Sequence, residues 1–238
     1  MQISRYAIFS KKITKRYAVA LIADVHGGGF EHIMELLRSV SPDLIVVPGD
    51  IEGGGDRERY INAFLSACVS VAPTFVSPGN HDRHLNAGTV SGTGAALLDN
   101  ARAVFGELNI GGLTSGSLGV KKHSRLMRTP DPDIAFAKEF SAVSGFKLML
   151  SHHPEYYPRF LKDLDIDLIV SGHAHGGQWR FFGRGVFAPG QGLFPKYTSG
   201  VHDGRLVVTR GTADHNGIPR IFNPHEICMI DLIPEAQK

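Results

Sequence analysis

Five short apolar segments of this chain each run directly into aspartate, asparagine or histidine. The polar residues that follow them lie at 24–26, 49–50, 79–82, 152–154 and 172–175. The length of each segment and the turn-forming residues that bound it predict a buried strand. Stretches of helical periodicity, such as 30–40 and 57–70, separate the strands, which predicts an alternating α/β fold. Because the loops at the carboxyl ends of such strands meet in one crevice, we expect these polar side chains to lie close together.

The residue types at the strand ends are those that bind metal ions. Six of the twelve histidines fall in these segments, more than chance would supply. Carboxylate, amide oxygen and imidazole ligands without thiolate suit Mn²⁺, Fe or Zn²⁺. The candidate ligands are Asp24, His26, Asp50, Asn80, one of His152 and His153, His173 and His175. Seven ligands exceed the number that one catalytic ion accepts while leaving room for water and substrate, so the sequence predicts two divalent metal ions.

Length, charge and cysteine content narrow the class of protein. A chain of 238 residues with 42% hydrophobic content can bury the core of one large α/β domain, so residues 1–238 are predicted to form a single domain. The net charge of +2 does not indicate a nucleic-acid-binding protein. Cys68 and Cys228 lie far apart, without the spacing of a disulfide framework or a thiolate zinc site. We expect a reducing compartment.

The sequence contains no apolar run near the roughly 20 residues that span a bilayer, and its first residues do not follow the pattern of a signal peptide. We therefore expect a cytoplasmic protein. A basic cluster at 11–16, formed by Lys11, Lys12, Lys15 and Arg16, is either a solvated face, which is the favoured interpretation, or a contact with an anionic membrane surface. Peripheral membrane contact is the alternative that the second interpretation implies.

The order of the motifs "DVH", "GD", "GNHD", "SHHP" and "GHAHGG" resembles that of the calcineurin-like metallophosphoesterase family. The C-terminal third, from "GHAHGGQ" through "PGQGLFPKYTSG" to "NPHEI", resembles further a bacterial subgroup described as membrane-associated phosphodiesterases. The resemblance implies a four-layer αββα sandwich of two mixed β-sheets flanked by helices. The apolar and helical periodicity of the sequence supports the alternation of strands and helices. The second sheet is implied by the resemblance alone.

The resemblance also implies a role for each strand-end residue. One ion would be bound by Asp24, His26 and His175, and the other by Asn80, His152 and His173. Asp50 would bridge the two ions. His152 is chosen over His153 because the proline two residues later matches the spacing of the family, and His153 remains the alternative. His81 would face the scissile group as a catalytic residue, and Asp82 would orient its ring.

These roles imply a metal-dependent phosphoesterase in which a metal-bridging hydroxide attacks a phosphate ester, with a phosphodiester preferred. The substrate would be a small-molecule or lipid-linked phosphate ester, and no nucleic-acid partner is expected. Two alternatives remain: a catalytically weak scaffold or binding module of the same fold, and a nuclease-type phosphodiesterase. The presence of His81 with a full ligand set favours an enzyme over a scaffold.

Three further groups are weaker candidates for substrate contact. Arg83 and His84 directly follow the "GNHD" motif, and a basic run comprises Lys121, Lys122, His123, Arg125 and Arg128. Six aromatic residues follow the last histidine motif: Trp179, Phe181, Phe182, Phe187, Phe194 and Tyr197. Glycine and proline interrupt this stretch, so some rings are predicted to line the rim of the crevice and to receive the apolar part of an amphiphilic substrate. Strand alternation predicts that Trp179 and Phe181 point inward.

Overall fold

A computed structural model describes residues 1–120, 129–214 and 219–235. The first of two six-stranded sheets has the order β1-β16-β2-β3-β4-β5. Its strands are β1 (Gln2–Ser10), β2 (Tyr17–Leu21), β3 (Leu44–Val47), β4 (Thr74–Val76), β5 (Ala96–Leu97) and β16 (Glu226–Pro234). β2, β3, β4 and β5 are parallel neighbours, whereas β16 runs antiparallel to β2, so the sheet is mixed.

The second sheet has the order β14-β15-β9-β8-β7-β6. Its strands are β6 (Ala101–Phe105), β7 (Leu108–Leu113), β8 (Phe146–Ser151), β9 (Leu168–Ser171), β14 (Gly200–His202) and β15 (Leu206–Val208). β7, β8, β9 and β15 are parallel, and antiparallel pairs close both edges. Two small hairpins lie between β9 and β14: β10 (Arg180–Phe181) with β11 (Arg184–Gly185), and β12 (Phe187–Ala188) with β13 (Gly192–Leu193).

Within the described residues, four α-helices connect the strands: α1 (Glu31–Val40), α2 (Arg57–Val69), α3 (Ala87–Val90) and α4 (Ile134–Ser141). Asp56 caps α2 by accepting a hydrogen bond from the Arg59 N–H at 3.2 Å, and Asp133 caps α4 in the same way. A single π-helical turn covers Tyr157–Leu161, and a 3₁₀ turn covers His175–Gly177. None of the described helices combines the length and apolar composition that crossing a membrane requires.

The buried side chains separate into three apolar layers. Alternate residues of the central strands, such as Val46 of β3 and Leu148 of β8, fill the layer between the two sheets. The intervening Ile45 packs with α1 and α2 on the outside of the first sheet, and Met149 packs with α4 and the π-helical turn on the outside of the second. Both faces of central strands such as β3 and β8 are therefore buried, which explains why these strands are continuously apolar. The predicted four-layer αββα sandwich is confirmed.

The ends of the chain pair in a way that the local sequence pattern does not reveal. β1 is absent from the predicted strands, yet it runs parallel to β16, with Gln2 opposite Glu226. The basic cluster lies just after β1, and two of its members form ion pairs within the protein. Lys12 contacts Asp165 and Asp167 at 3.2 and 2.9 Å, and Arg16 contacts Asp231 at 2.5 Å. These contacts agree with the favoured interpretation of the cluster as part of the protein's own surface.

Candidate metal centre

The loops that follow β2, β3 and β9 hold their polar residues in an unusual backbone conformation. Five predicted ligands have positive φ angles: Asp24 (56°), His26 (47°), Asp50 (57°), His173 (64°) and His175 (45°). The left-handed region is unfavourable for residues with a Cβ, by about 1 kcal/mol or more each, and such strain clusters at functional sites. Glycines allow these loops to approach one another, since a Cβ at Gly79 would lie 2.3 Å from Asp50 Oδ1. The fold thus holds these five side chains in one place against their local preference.

The first cluster of potential ligands comprises Asp24, His26 and His175. One potential ligand atom from each lies within 4.8 Å of the other two. His175 Nε2 is 3.7 Å from Asp24 Oδ1 and 3.4 Å from His26 Nε2. The Asp24 carboxylate also accepts a hydrogen bond from the His173 N–H, which ties the end of β2 in the first sheet to the end of β9 in the second.

The second cluster comprises Asp50, His152 and His173, again with ligand atoms within 4.8 Å. His152 Nδ1 is 2.9 Å from the Pro48 carbonyl, so this nitrogen carries the proton and donates it, which leaves Nε2 available as a ligand. His152 Nε2 is 3.2 Å from Asp50 Oδ2. Within the described part of the chain, Asn80 Oδ1 is buried without a hydrogen-bond partner, and His152 Nε2 meets Asp50 as an ion pair without hydrogen-bond geometry. A bound cation would satisfy both atoms.

Asp50 belongs to the second cluster and also faces His26 of the first. Its Oδ2 is 3.2 Å from His152 Nε2 and 3.8 Å from His26 Nε2, and its Oδ1 accepts a hydrogen bond of 2.9 Å from the His81 N–H. Asp24 and Asp50 are both almost completely buried. Two carboxylates this deeply buried require positive charge nearby, because an unpaired buried charge is strongly unfavourable. The donor set and its burial therefore fit divalent cations.

In the metal-free site, protonation of ligand side chains supplies part of the positive charge that the buried carboxylates need. Burial raises the pKa of Asp24 to about 7, and the charge of Asp50 adds to this effect against the attraction of His152. Burial alone would lower the pKa of His152, but the Asp50 and Asp24 carboxylates outweigh it and raise the pKa to about 9. Without metal, a protonated His152 thus neutralises part of the buried charge. Burial lowers the pKa of His26 to about 4, so His26 is neutral at pH 7, the form that binds metals.

The adjacent His153 points to different partners. Its Nε2 is 2.7 Å from Ser115 Oγ, and its Nδ1 is 3.3 Å from Glu155 Oε1. Glu155 Oε1 also lies 4.0 Å from His173 Nε2 and accepts a hydrogen bond from Thr129. These contacts favour His152 over His153 as the residue that meets Asp50. They also place Glu155, which is absent from the predicted site, beside the His173 ring.

The contacts of Asp82 differ from the predicted orienting role toward His81. Oδ2 accepts hydrogen bonds from the Asp50 and Gly79 N–H groups at 2.6 and 2.8 Å, and Oδ1 accepts from the Ile51 and Glu52 N–H groups at 2.8 and 3.1 Å. The side chain is fully buried. Asp82 therefore joins the loop after β3 to the loop after β4 and positions Asp50.

His81 faces an open cleft of about 430 Å³ beside the two clusters. Its side chain is 47% exposed, and its ring is 5.3 Å from that of His26. Residues of both charges complete the cleft: Glu52, Arg57, Arg83 and Asp214. His84 lies beside it and is engaged by Glu52 through Nδ1 at 2.9 Å. A substrate in this cleft would thus meet His81 and two guanidinium groups. Arg83 is among the residues predicted to contact substrate, whereas Arg57 is not.

Arg220 is another residue that the sequence patterns do not single out. Its guanidinium is 3.3 Å from His175 Nδ1 and donates hydrogen bonds to the Arg210 and Ala213 carbonyls. Arg220 and Glu155 come from outside the five motifs, and neither lies in a repeated or periodic pattern. The one available signal for Glu155 is that it directly follows "HHP". The predicted basic run at 121–128 lies outside the described residues.

The aromatic stretch after His175 is largely exposed. Phe182 is fully exposed, Phe194 is 78% exposed, and Phe187 is half-buried, whereas Tyr197 is buried. The prediction that Trp179 and Phe181 point inward is wrong, because they are 41% and 47% exposed. Alternation places a side chain in a core only when the sheet has a layer behind it, and β10 pairs only with the two-residue β11 among the described strands.

Comparison with known proteins agrees with this geometry. Residues 17–177 match the family model of the calcineurin-like phosphoesterases. The chain belongs to this family. The matched range includes all five strand-end motifs, and membership supports the hydrolysis of phosphoric esters and the binding of divalent metal at the two clusters.

Curated relatives include an uncharacterized metallophosphoesterase of Helicobacter pylori strain J99, which is 26% identical over 99% of this chain. The phosphodiesterase YaeI of Escherichia coli is 27% identical over 94% of this chain and 85% of its own length. An uncharacterized metallophosphoesterase of Campylobacter jejuni is 29% identical over 92% of this chain. The chain spans 65% of the Helicobacter relative and 60% of the Campylobacter relative.

Among solved structures, TT1561 of Thermus thermophilus is similar in fold, with a TM-score of 0.51 and 12% identity. The match covers 66% of this chain and 82% of TT1561. At this identity the likeness concerns the fold alone.

Proposed function

We propose that this protein is a dinuclear metal-dependent phosphoesterase that prefers phosphodiesters. The observation that carries the proposal is the position of Asp50, which belongs to one cluster of potential ligands and also faces His26 of the other. Asp24, His26 and His175 would hold one divalent ion, and Asn80, His152 and His173 would hold the other. The preference for a diester is supported by the similarity to YaeI, which is named a phosphodiesterase.

The protein's own residues bind and orient the ester. Arg57 and Arg83 line the cleft beside His81 and attract the phosphate group to it. When bound, the divalent ions lower the pKa of a water molecule and polarise the phosphoryl oxygens. His81 is exposed to the cleft and donates a proton to the departing alkoxide. Asp82 keeps Asp50 in place through the backbone of both loops.

The site itself is tested by elemental analysis of the purified protein. We expect close to two metal ions per chain at saturation. Asp50→Asn should lower occupancy at both positions, because Asp50 serves both clusters. A stoichiometry that never exceeds one ion per chain would overturn the dinuclear proposal.

The activity is tested with Mn²⁺ on bis-(p-nitrophenyl) phosphate, p-nitrophenyl phosphate and single-stranded DNA. We expect the diester to be the better substrate. His81→Ala should lower turnover by about 10² to 10⁴-fold with metal content unchanged, as expected for loss of a general acid. His32, exposed on α1, provides the matched control His32→Ala. Activity confined to the monoester would refute the diester preference, and preferred cleavage of DNA would favour a nuclease. No hydrolysis with any metal would favour a scaffold.

A further inference from the structure

Large exposed apolar side chains are concentrated in one part of the molecule. Seven of the twelve that are exposed in the described residues lie in 179–194 and 221–222. The most exposed are Phe182, Phe194, Phe222 and Leu193, with 70% or more of each side chain in contact with solvent. We call residues 178–197 together with 219–223 the aromatic loops. Exposed apolar patches of this kind on soluble domains mark interaction sites.

Hydrogen bonds connect the aromatic loops to one another and to the metal centre. The Val186 N–H donates to the Trp179 carbonyl, and the Phe194 N–H donates to the Val186 carbonyl. The rings of Phe181 and Phe222 are 6.0 Å apart. Asn223 donates to the His175 carbonyl at 2.7 Å, next to one proposed metal ligand. The exposed rings are therefore supported by the backbone that holds His175.

Folding stability does not account for these rings. Phe182, Phe194 and Phe222 have φ angles of 51°, 51° and 52°, in the left-handed region that is an outlier for bulky residues. Each of these residues combines an unfavourable backbone conformation with an aromatic ring exposed to water. Asparagine or glycine at these positions would remove the strain and the exposed apolar surface together. Exposure and strain together favour a role for these residues in an interaction outside the folded domain.

The charge of the aromatic loops indicates which partner they bind. The sequence 178–197 contains Arg180, Arg184 and Lys196 and no aspartate or glutamate, and 219–223 contains Arg220 and likewise no acid. Arg184 and Lys196 are exposed. Exposed aromatic rings next to cations, without carboxylates, match the interface of an anionic bilayer, where rings insert among the headgroups and cations meet the lipid phosphates.

We propose that the aromatic loops dock this protein on the surface of membranes that contain anionic lipids. The rings of Phe182, Phe194 and Phe222 insert into the interface, and Arg184 and Lys196 contact the lipid headgroups. Docking would bring the cleft beside His175 to the membrane, where an amphiphilic phosphate ester is concentrated. The proposal does not depend on hydrolysis, because it concerns a surface outside the cleft.

The test uses phosphatidylcholine vesicles with and without phosphatidylglycerol. Trp179 is the single tryptophan of the chain and lies in the aromatic loops, so its fluorescence should shift to the blue when the loops enter a bilayer. We expect co-flotation with vesicles that contain phosphatidylglycerol and weaker binding to pure phosphatidylcholine. Added salt and the double variant Arg184→Gln/Lys196→Gln should each reduce the difference between the two compositions.

Single variants identify the inserting rings. Phe182→Asn, Phe194→Asn and Phe222→Asn should each lower the partition coefficient by about tenfold, the order of magnitude for losing one buried ring. Phe9, which is 59% exposed on β1, provides the control Phe9→Asn, which should bind as the unaltered protein does. Hydrolysis of bis-(p-nitrophenyl) phosphate should be unchanged in all four variants, which separates docking from catalysis.

Two results would overturn the proposal. The first is equal binding of the Phe182, Phe194, Phe222 and Phe9 variants to anionic vesicles, or no binding by the unaltered protein. The second is concentration-dependent self-association, measured by sedimentation, that the three aromatic-loop variants abolish while vesicle binding is absent. The aromatic loops would then be an interface between copies of this chain.

Discussion

Replacing Asp82 by asparagine should destabilise the protein and empty the metal centre, although Asp82 is not a proposed ligand. The two carboxylate oxygens each accept two backbone N–H bonds, which join the loops that present Asp50 and Asn80. An asparagine side chain keeps one acceptor oxygen. In either orientation its NH₂ group faces two N–H donors.

The size of the effect follows from these contacts. Each buried N–H left without an acceptor costs about 1–3 kcal/mol, and the two remaining bonds lose the strength that the charge gave them. One change acts in the opposite direction. Burial and the charge of Asp50 raise the pKa of Asp82 to about 6, so removing the negative charge relieves part of the desolvation and repulsion. The lost bonds outweigh this relief, and we expect a net loss on the order of 3 kcal/mol in the free energy of unfolding.

Urea unfolding in the presence of EDTA measures this loss without a contribution from metal. Asp56→Asn is the matched control, since Asp56 accepts one backbone N–H at the start of α2 and asparagine serves there nearly as well. Asp82→Asn should also reduce the Mn²⁺ content, because Asp50 loses its support. A stability within about 1 kcal/mol of the control, together with full metal loading, would refute the assigned positioning role.

Four further predictions concern the site and the aromatic loops. The folded state raises the pKa of His152 from 6.5 to about 9, so its stabilising effect is complete below pH 6.5 and is lost as the pH rises toward 9; the melting temperature of the metal-free protein should fall over this range. Saturating Mn²⁺, which replaces the proton on His152, should raise the melting temperature more at pH 9 than at pH 6.5. Glu155→Gln should weaken Mn²⁺ affinity by about tenfold in a titration, whereas Glu139→Gln on the exposed face of α4 should not. Phe182→Asn should leave the free energy of unfolding equal or raise it by about 1 kcal/mol in urea, since it relieves a left-handed phenylalanine; a clear loss would show that Phe182 contributes to packing.

The family resemblance and the strand-end pattern anticipated the architecture because both follow from local chemistry. Continuous apolar runs such as "LIVV" in β3 indicate strands buried on both faces, and the loop after each run carries the polar residues. Parallel strands bring those loops to one edge, whatever the details of packing. Asp24 and His175, which are distant in sequence, lie in one cluster of potential ligands, as the strand-end pattern predicts.

The sequence by itself determined which residue types end the strands, and hence the chemistry that the site offers. Tertiary structure decided which atoms meet. His152 and His153 are adjacent in sequence, but one faces Asp50 and the other Ser115, because neighbouring residues at a strand end point to opposite sides. Strand alternation gave the wrong burial for Trp179. It places a side chain in a core only if another layer covers that face of the sheet. Likewise, β1 finds β16 across more than 200 residues, and the partner of an edge strand is set by packing between distant segments, which no local pattern records.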